Sequence, residues 1–275
     1  MTRKRFWTDL LISGTTLIWL ALASFPLLWL LLLSLKTQLQ AFSTPPLLLF
    51  VPTFHNYVDL LRNTDFPRYF GNSIAVAVGS VTVSLLLGVP AAYAFSRLSY
   101  RGKNATLSWI LIVRMTPAMT FVIPFFMLYK IVGLLDTWTS LIILYTLFML
   151  ALVIWTMQAF FDNVPRSLEE AARVDGATIW QSFAQVVLPV SGPGITATGV
   201  LCFLFSWNEF LFALVMTRNN ARTAPLAIVN FMAYEGAEWG RIAAGSILIL
   251  LPVLIFGFVM RKYLVQGLLG GAVKG

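Results

Sequence analysis

The chain has 275 residues, of which 59% are hydrophobic and only 11% charged. A soluble domain carries about a quarter charged residues, so a water-soluble globule is excluded. The net charge of +8 does not point to nucleic acid, because the basic residues sit in short clusters between apolar runs rather than on one basic stretch.

Six apolar stretches follow in chain order. The first, 10–35, is uncharged for roughly 26 residues. It follows Arg3, Lys4 and Arg5, is too long for a cleavable signal core, and reads as a retained first helix. The second is 70–96 and the third 105–129, interrupted by Arg114. The fourth is 137–161, the fifth 194–216 with Glu209 inside it, and the sixth 242–260, closed by Arg261 and Lys262. Open sheets cannot satisfy their edges in lipid, and barrel strands are shorter and alternate in polarity. The expectation is an all-α integral membrane protein, one domain over 1–275, with six transmembrane helices.

An even count puts both termini on one side. Arg3, Lys4 and Arg5, then Arg97, Arg101 and Lys103, then Arg261, Lys262 and Lys274 all fall on the cytoplasmic side if the N-terminus does. Loops 36–69, 130–136 and 217–241 are then periplasmic, and loop 162–193 is cytoplasmic. A lone cysteine (Cys202) and a lone histidine (His55) leave no disulfide and no transition-metal site to build. No glycine loop ending in Lys-Ser or Lys-Thr is present to cradle phosphates, so no catalytic residue and no bound cofactor are expected.

The loop 162–193 carries the densest local signals. Pro165 suits a first helical turn, and Ser167 with Glu170 has capping-box spacing. Gly176 is expected to stop that helix in a left-handed conformation. Thr178 with Gln181 repeats the capping box, and Pro189 ends a second short helix. A helical elbow on the inner side, with apolar and charged faces, is either packed under its own helices or a docking surface for a partner.

Glu170-Ala171-Ala172, Gly176, Val186 and Leu188-Pro189, at their spacing, resemble the EAA loop of binding-protein-dependent ABC importers. Val186 stands where that family usually has Ile. Arg114-Met115-Thr116-Pro117, Gly133-Leu134-Leu135-Asp136-Thr137 and Trp207-Asn208-Glu209-Phe210 are similar to segments of carbohydrate-uptake permeases. The ending from Gly267 to Gly275 resembles that of the smaller permease subunit of maltose-type transporters. The resemblance implies a permease in a bacterial inner membrane, with a coupling helix between helices 4 and 5. It implies docking to ATPase subunits through Glu170, Ala171, Ala172, Asp175, Gly176, Leu188 and Pro189. It also implies a tail, Gly270, Gly271, Lys274 and Gly275, that reaches the interface between those subunits. The implied partners are a second, non-identical permease, two ATP-binding subunits that hold ATP and Mg, an extracytoplasmic binding protein, and a sugar. A permease for another polar solute shares the loop. A self-sufficient secondary transporter would show internal repeats and broken helices at mid-membrane, and no repeat is visible.

Two charges lie inside apolar stretches. At about 1.5 Å per residue, Arg114 is roughly 16 Å past Lys103, near mid-membrane, and Glu209 roughly 12 Å from the outer end. Such groups face the bundle or a wet cavity. Two readings stay open: a structural Arg114–Glu209 pair, or a substrate path using Arg114, Trp207, Asn208 and Glu209. Gly79, Gly88, Gly194 and Gly199 are expected to permit close helix packing.

Overall fold

A computed structural model describes residues 3–233 and 236–272, with side chains over 12–232 and 237–258. The chain divides into two compact units, Met1–Pro67 with Ala227–Leu251, and Arg68–Leu226 with Pro252–Gly275. Among the described residues, four helices are long and apolar enough to cross a membrane, or up to six if each of two bent pairs is one span.

In the first unit, α1 (Arg3–Ser34) carries the apolar span Ile12–Ser34, and none of its hydrophobic window is buried. At its exit Asn56 donates to the carbonyls of Ser34 and Lys36, closing orphan groups at the helix end. The ammonium of the buried Lys36 lies over the rings of Trp29 and Phe50. The loop 36–69 is not irregular throughout. It holds α2 (Gln38–Ala41), capped by Thr37 and Gln40, and α3 (His55–Arg62), and α4 (Phe66–Arg97) begins within it. Asp59 of α3 pairs with Arg241, which also holds Glu238.

The second unit contains most of α4, then α5 (Lys103–Met115), α6 (Ala118–Val132) and α7 (Trp138–Asp162). The elbow follows: α8 (Arg166–Val174), α9 (Ile179–Ser182), a π turn at Phe183–Val187, and α10 (Leu188–Val190). Then come α11 (Gly192–Trp207), α12 (Leu211–Met216) and α13 (Ala224–Ala227). The core is built on α7, with Leu141, Leu144, Met149, Val153, Met157 and Phe161 buried against α4 and α11. A Cβ on Gly88 would sit 2.6 Å from Val153 Cγ1, and one on Gly194 2.6 Å from the Phe160 ring. Here close packing in lipid requires glycine. Ser80 and Ser206 hydroxyls bond 3.1 Å apart and add a polar tie between α4 and α11.

Two expected straight spans are broken. The stretch 105–129 bends by 89° where Thr116 and Pro117 are both extended. Proline clashes with a helical residue before it, so Thr116 leaves the helix. The stretch 194–216 stops at Trp207 and resumes at Leu211 as α12. After a 3₁₀ turn at Ile228–Phe231 and a two-residue β pairing, Met232 with Ala237 and Ala233 with Gly236, α14 (Trp239–Ala272) begins before 242 and continues beyond Arg261 and Lys262. It takes in Gly270 and Gly271; Lys274 and Gly275 lie outside the described residues.

In the second unit, Asp136 has φ +59° and accepts from the backbone N–H groups of Arg218, Asn219, Asn220 and Ala221. Burial pushes this carboxyl's pKa up, but the four N–H donations outweigh it and hold the pKa below the ordinary value. At Asp59 in the first unit, the Asn63 amide bond and the charge of Arg241 overcome desolvation and also lower the pKa.

Candidate functional site

The elbow at 162–193 forms from local chemistry. α8 starts at Arg166, with Pro165 in the capping position. Ser167 is therefore already inside the helix, and the expected Ser167–Glu170 capping box does not form. Gly176 has φ +92°, and the N–H of Ala177 bonds Ala172 O, ending α8 in a Schellman-type turn. A Cβ at Gly176 would meet nothing within 4 Å, so backbone conformation alone demands glycine. The Thr178–Gln181 box has both of its hydrogen bonds. Pro189 does not end the second helix; helical backbone runs to Val190. Leu188 N–H reaches five residues back to Phe183 O, and Pro189 beside it has no N–H to give, so the turn widens to π geometry.

The elbow's outer face carries Glu170, Ala171, Asp175, Gly176 and Pro189, all exposed, with Ala172 and Leu188 half-buried. Val174 is 88% exposed and Trp180 65%, and Leu168 and Ile179 are also uncovered. Four large apolar side chains are thus uncovered within one short elbow. The inner face is different. Phe183 packs on Tyr93 and Phe161. Glu169, buried, pairs with Arg97 Nε at 2.5 Å and accepts from Tyr93 Oη at 2.7 Å. Sequence reasoning singled out Glu170 and missed Glu169, whose partner lies 72 residues away.

The intramembrane charges line one cavity of about 260 Å³, together with Tyr145, Phe205, Ser206 and Phe212. Arg114 and Glu209 form no ion pair with each other among the described residues. The Arg114 guanidinium stacks 5.6 Å from the Phe205 ring centre. Glu209 accepts from Tyr145 Oη at 2.7 Å, from Phe212 N at 2.8 Å and from Ala213 N at 3.2 Å. It thus caps the first turn of α12 and explains where the fifth stretch restarts. Trp207 is 1% exposed and packs on Phe70 and Phe203, while Asn208 turns back to Leu204 O; neither lines the cavity. Of the four residues considered for a substrate path, the structure brings together Arg114 and Glu209. Tyr145, from α7, was missed because nothing near it in the chain marks it.

The family model for the binding-protein-dependent transport system inner membrane component matches residues 84–269, a span that includes both the elbow and the cavity. The chain belongs to this family. This inner membrane component is 38% identical over 278 residues to the trehalose transport system permease protein SugB of Mycobacterium tuberculosis, covering 99% of this chain and 98% of that one. It is 33% identical over 270 residues to the trehalose/maltose transport system permease protein MalG of Thermococcus litoralis, covering 97% and 96%. Its fold matches a chain of a bacterial ABC transporter involved in import of the acidic polysaccharide alginate, with TM-score 0.80, 25% identity, and coverage of 96% of this chain and 98% of that one.

Proposed function

We propose that this inner membrane component is a permease subunit of an ATP-driven importer and forms half of the path for a sugar or sugar derivative delivered by a binding protein. The observation that carries the reading is the exposed elbow. A short helix with Glu170, Ala171 and Ala172 on its free side, turned by Gly176 and flanked by bare Val174, Ile179 and Trp180, is shaped to enter a cleft on another protein. The names of its relatives, with trehalose and maltose among their solutes, support a carbohydrate.

In this reading ATP and Mg bind to two partner ATPase subunits, and closure of that pair pulls on the elbow. Coupling requires the partner to hold the elbow differently in its two states. Glu170 is the group for a salt bridge to a basic residue of the ATPase, and Ala171 and Ala172 permit the close approach. A second, non-identical permease completes the path, and Gly270, Gly271, Lys274 and Gly275 extend toward the ATPase interface. Both termini are cytoplasmic, and the outer loop 217–241 meets the binding protein. Arg114 and Glu209 belong to the path through their shared cavity, whereas Trp207 and Asn208 do not.

The test is purification in mild detergent, identification of the co-purifying subunits, and cross-linking from a cysteine at Glu170. The expected result is a second permease and two ATPase copies, with the cross-link to the ATPase. A chain that, reconstituted alone, concentrated solute against a gradient would overturn the reading.

A further inference from the structure

Two consecutive glutamates on α8 have opposite surroundings. Glu170 is exposed, and Glu169 is buried beneath the helix against the inner end of α4. There Arg97, the last residue of α4, is fully engaged. Its Nε holds Glu169 Oε1 at 2.5 Å, one terminal nitrogen donates to Val164 O at 2.9 Å, and the other to Ser96 Oγ at 3.2 Å. Ser96 in turn donates to Asp162 Oδ1, at the end of α7, at 2.5 Å. Tyr93, one turn back on α4, donates to the second oxygen of Glu169.

By contrast, the covalent link from α7 to α8 is three non-helical residues, Asn163-Val164-Pro165. Such a joint passes motion poorly. A buried ion pair whose partners are all hydrogen-bonded is rigid, because loss of either member strands a charge away from water. Resting on the docking role proposed above, we infer that Arg97, Glu169 and Tyr93 are positioning residues that lock the elbow to α4, so that α4 is the lever through which the ATPase stroke enters the membrane. Glu170 and its neighbours receive the force. Glu169 hands it to a helix that shares no adjacent sequence with the elbow.

The experiment uses the complete assembly with its ATPases. Spin labels are placed at Leu98, whose N–H still bonds Ala94 O at the end of α4, and at Ser167 on α8, which is exposed and lies outside the proposed docking residues. In the unsubstituted chain the label-to-label distance is expected to stay constant between the nucleotide-free and the ATP-bound state, since both ends travel as one body. In Glu169→Gln and Tyr93→Phe, which keep volume, ATP is expected to shift the mean distance by more than about 2 Å, most in Glu169→Gln, while the elbow–ATPase cross-link persists. A distance that already changes in the unsubstituted chain overturns the inference, as does one that stays fixed in both variants. A chain whose elbow never cross-links to the ATPase fails earlier, at the docking role itself. If Glu169→Gln does not assemble, Tyr93→Phe alone decides.

Discussion

The elbow and the intramembrane cavity are built by opposite means. In the elbow, each feature is a local rule applied within a few residues: a proline start, a glycine stop, a capping box, a proline beside a π turn. The cavity gathers Arg114 at the end of α5, Tyr145 from α7 and Glu209 from the gap before α12, none adjacent in sequence. Elbows written by turn chemistry can be read off a sequence; cavities written by packing require the fold.

The largest effect that sharpens this contrast is at the elbow. Glu170→Arg reverses a free charge, and Gly176→Val forces a β-branched residue to φ +92°, where strain of about 1–3 kcal/mol is concentrated at the turn. Both are expected to abolish uptake by the assembly at normal membrane levels, measured by transport against immunoblot. Wild-type uptake in both would break the comparison.

Next come Trp207, which packs away from the cavity, and Arg114, which lines it. Trp207→Ala is expected to cost about 3–5 kcal/mol by emptying a packed site, and to lower the midpoint of thermal unfolding in detergent. Arg114→Ala, at a partly open position, is expected to leave that midpoint nearly unchanged and to alter the KM for uptake. Equal stability losses in both would mean that Arg114 is structural.

The smallest effect concerns Asp136. Its carboxyl pKa is held below the ordinary 3.8. The stability it contributes is therefore fully present above that value and is lost as pH falls through the lowered one. Asp136→Asn is expected to lower the melting midpoint modestly near neutrality, where the contribution is fully present, and to differ progressively less from the unsubstituted chain as pH falls below about 4, which flattens the acid limb of the profile. An unchanged acid limb would assign that limb to other carboxylates, such as Asp59.

These cases also mark how far the residues alone could be read. Long apolar runs located the helices, because spanning length and hydropathy are additive along the chain. The bend at 116–117 was signalled by Pro117, yet apolar residues on both sides disguised it as one span. The gap at 208–210 had no such punctuation; it exists because Glu209 is drawn to Tyr145 Oη and to two backbone N–H groups of α12. Ser167 with Glu170 had the spacing of a cap, but the helix began two residues too early to use it. Between Glu169 and Glu170 no local pattern could choose, since the choice depends on Arg97.

The bareness of α1 has its own consequence. With hydrocarbon as agreeable to leucine as any protein neighbour, a helix that buries none of its window within its own chain draws no preferred azimuth from that chain's packing. At its exit, its rotation is held by the collar that Asn56 makes around the Ser34 and Lys36 carbonyls and by the Ser34–Tyr57 hydroxyl bond. Within this chain, exchanges among leucine, isoleucine and valine along 12–33 are therefore expected to carry little penalty, whereas Asn56 is held to its place by two carbonyls.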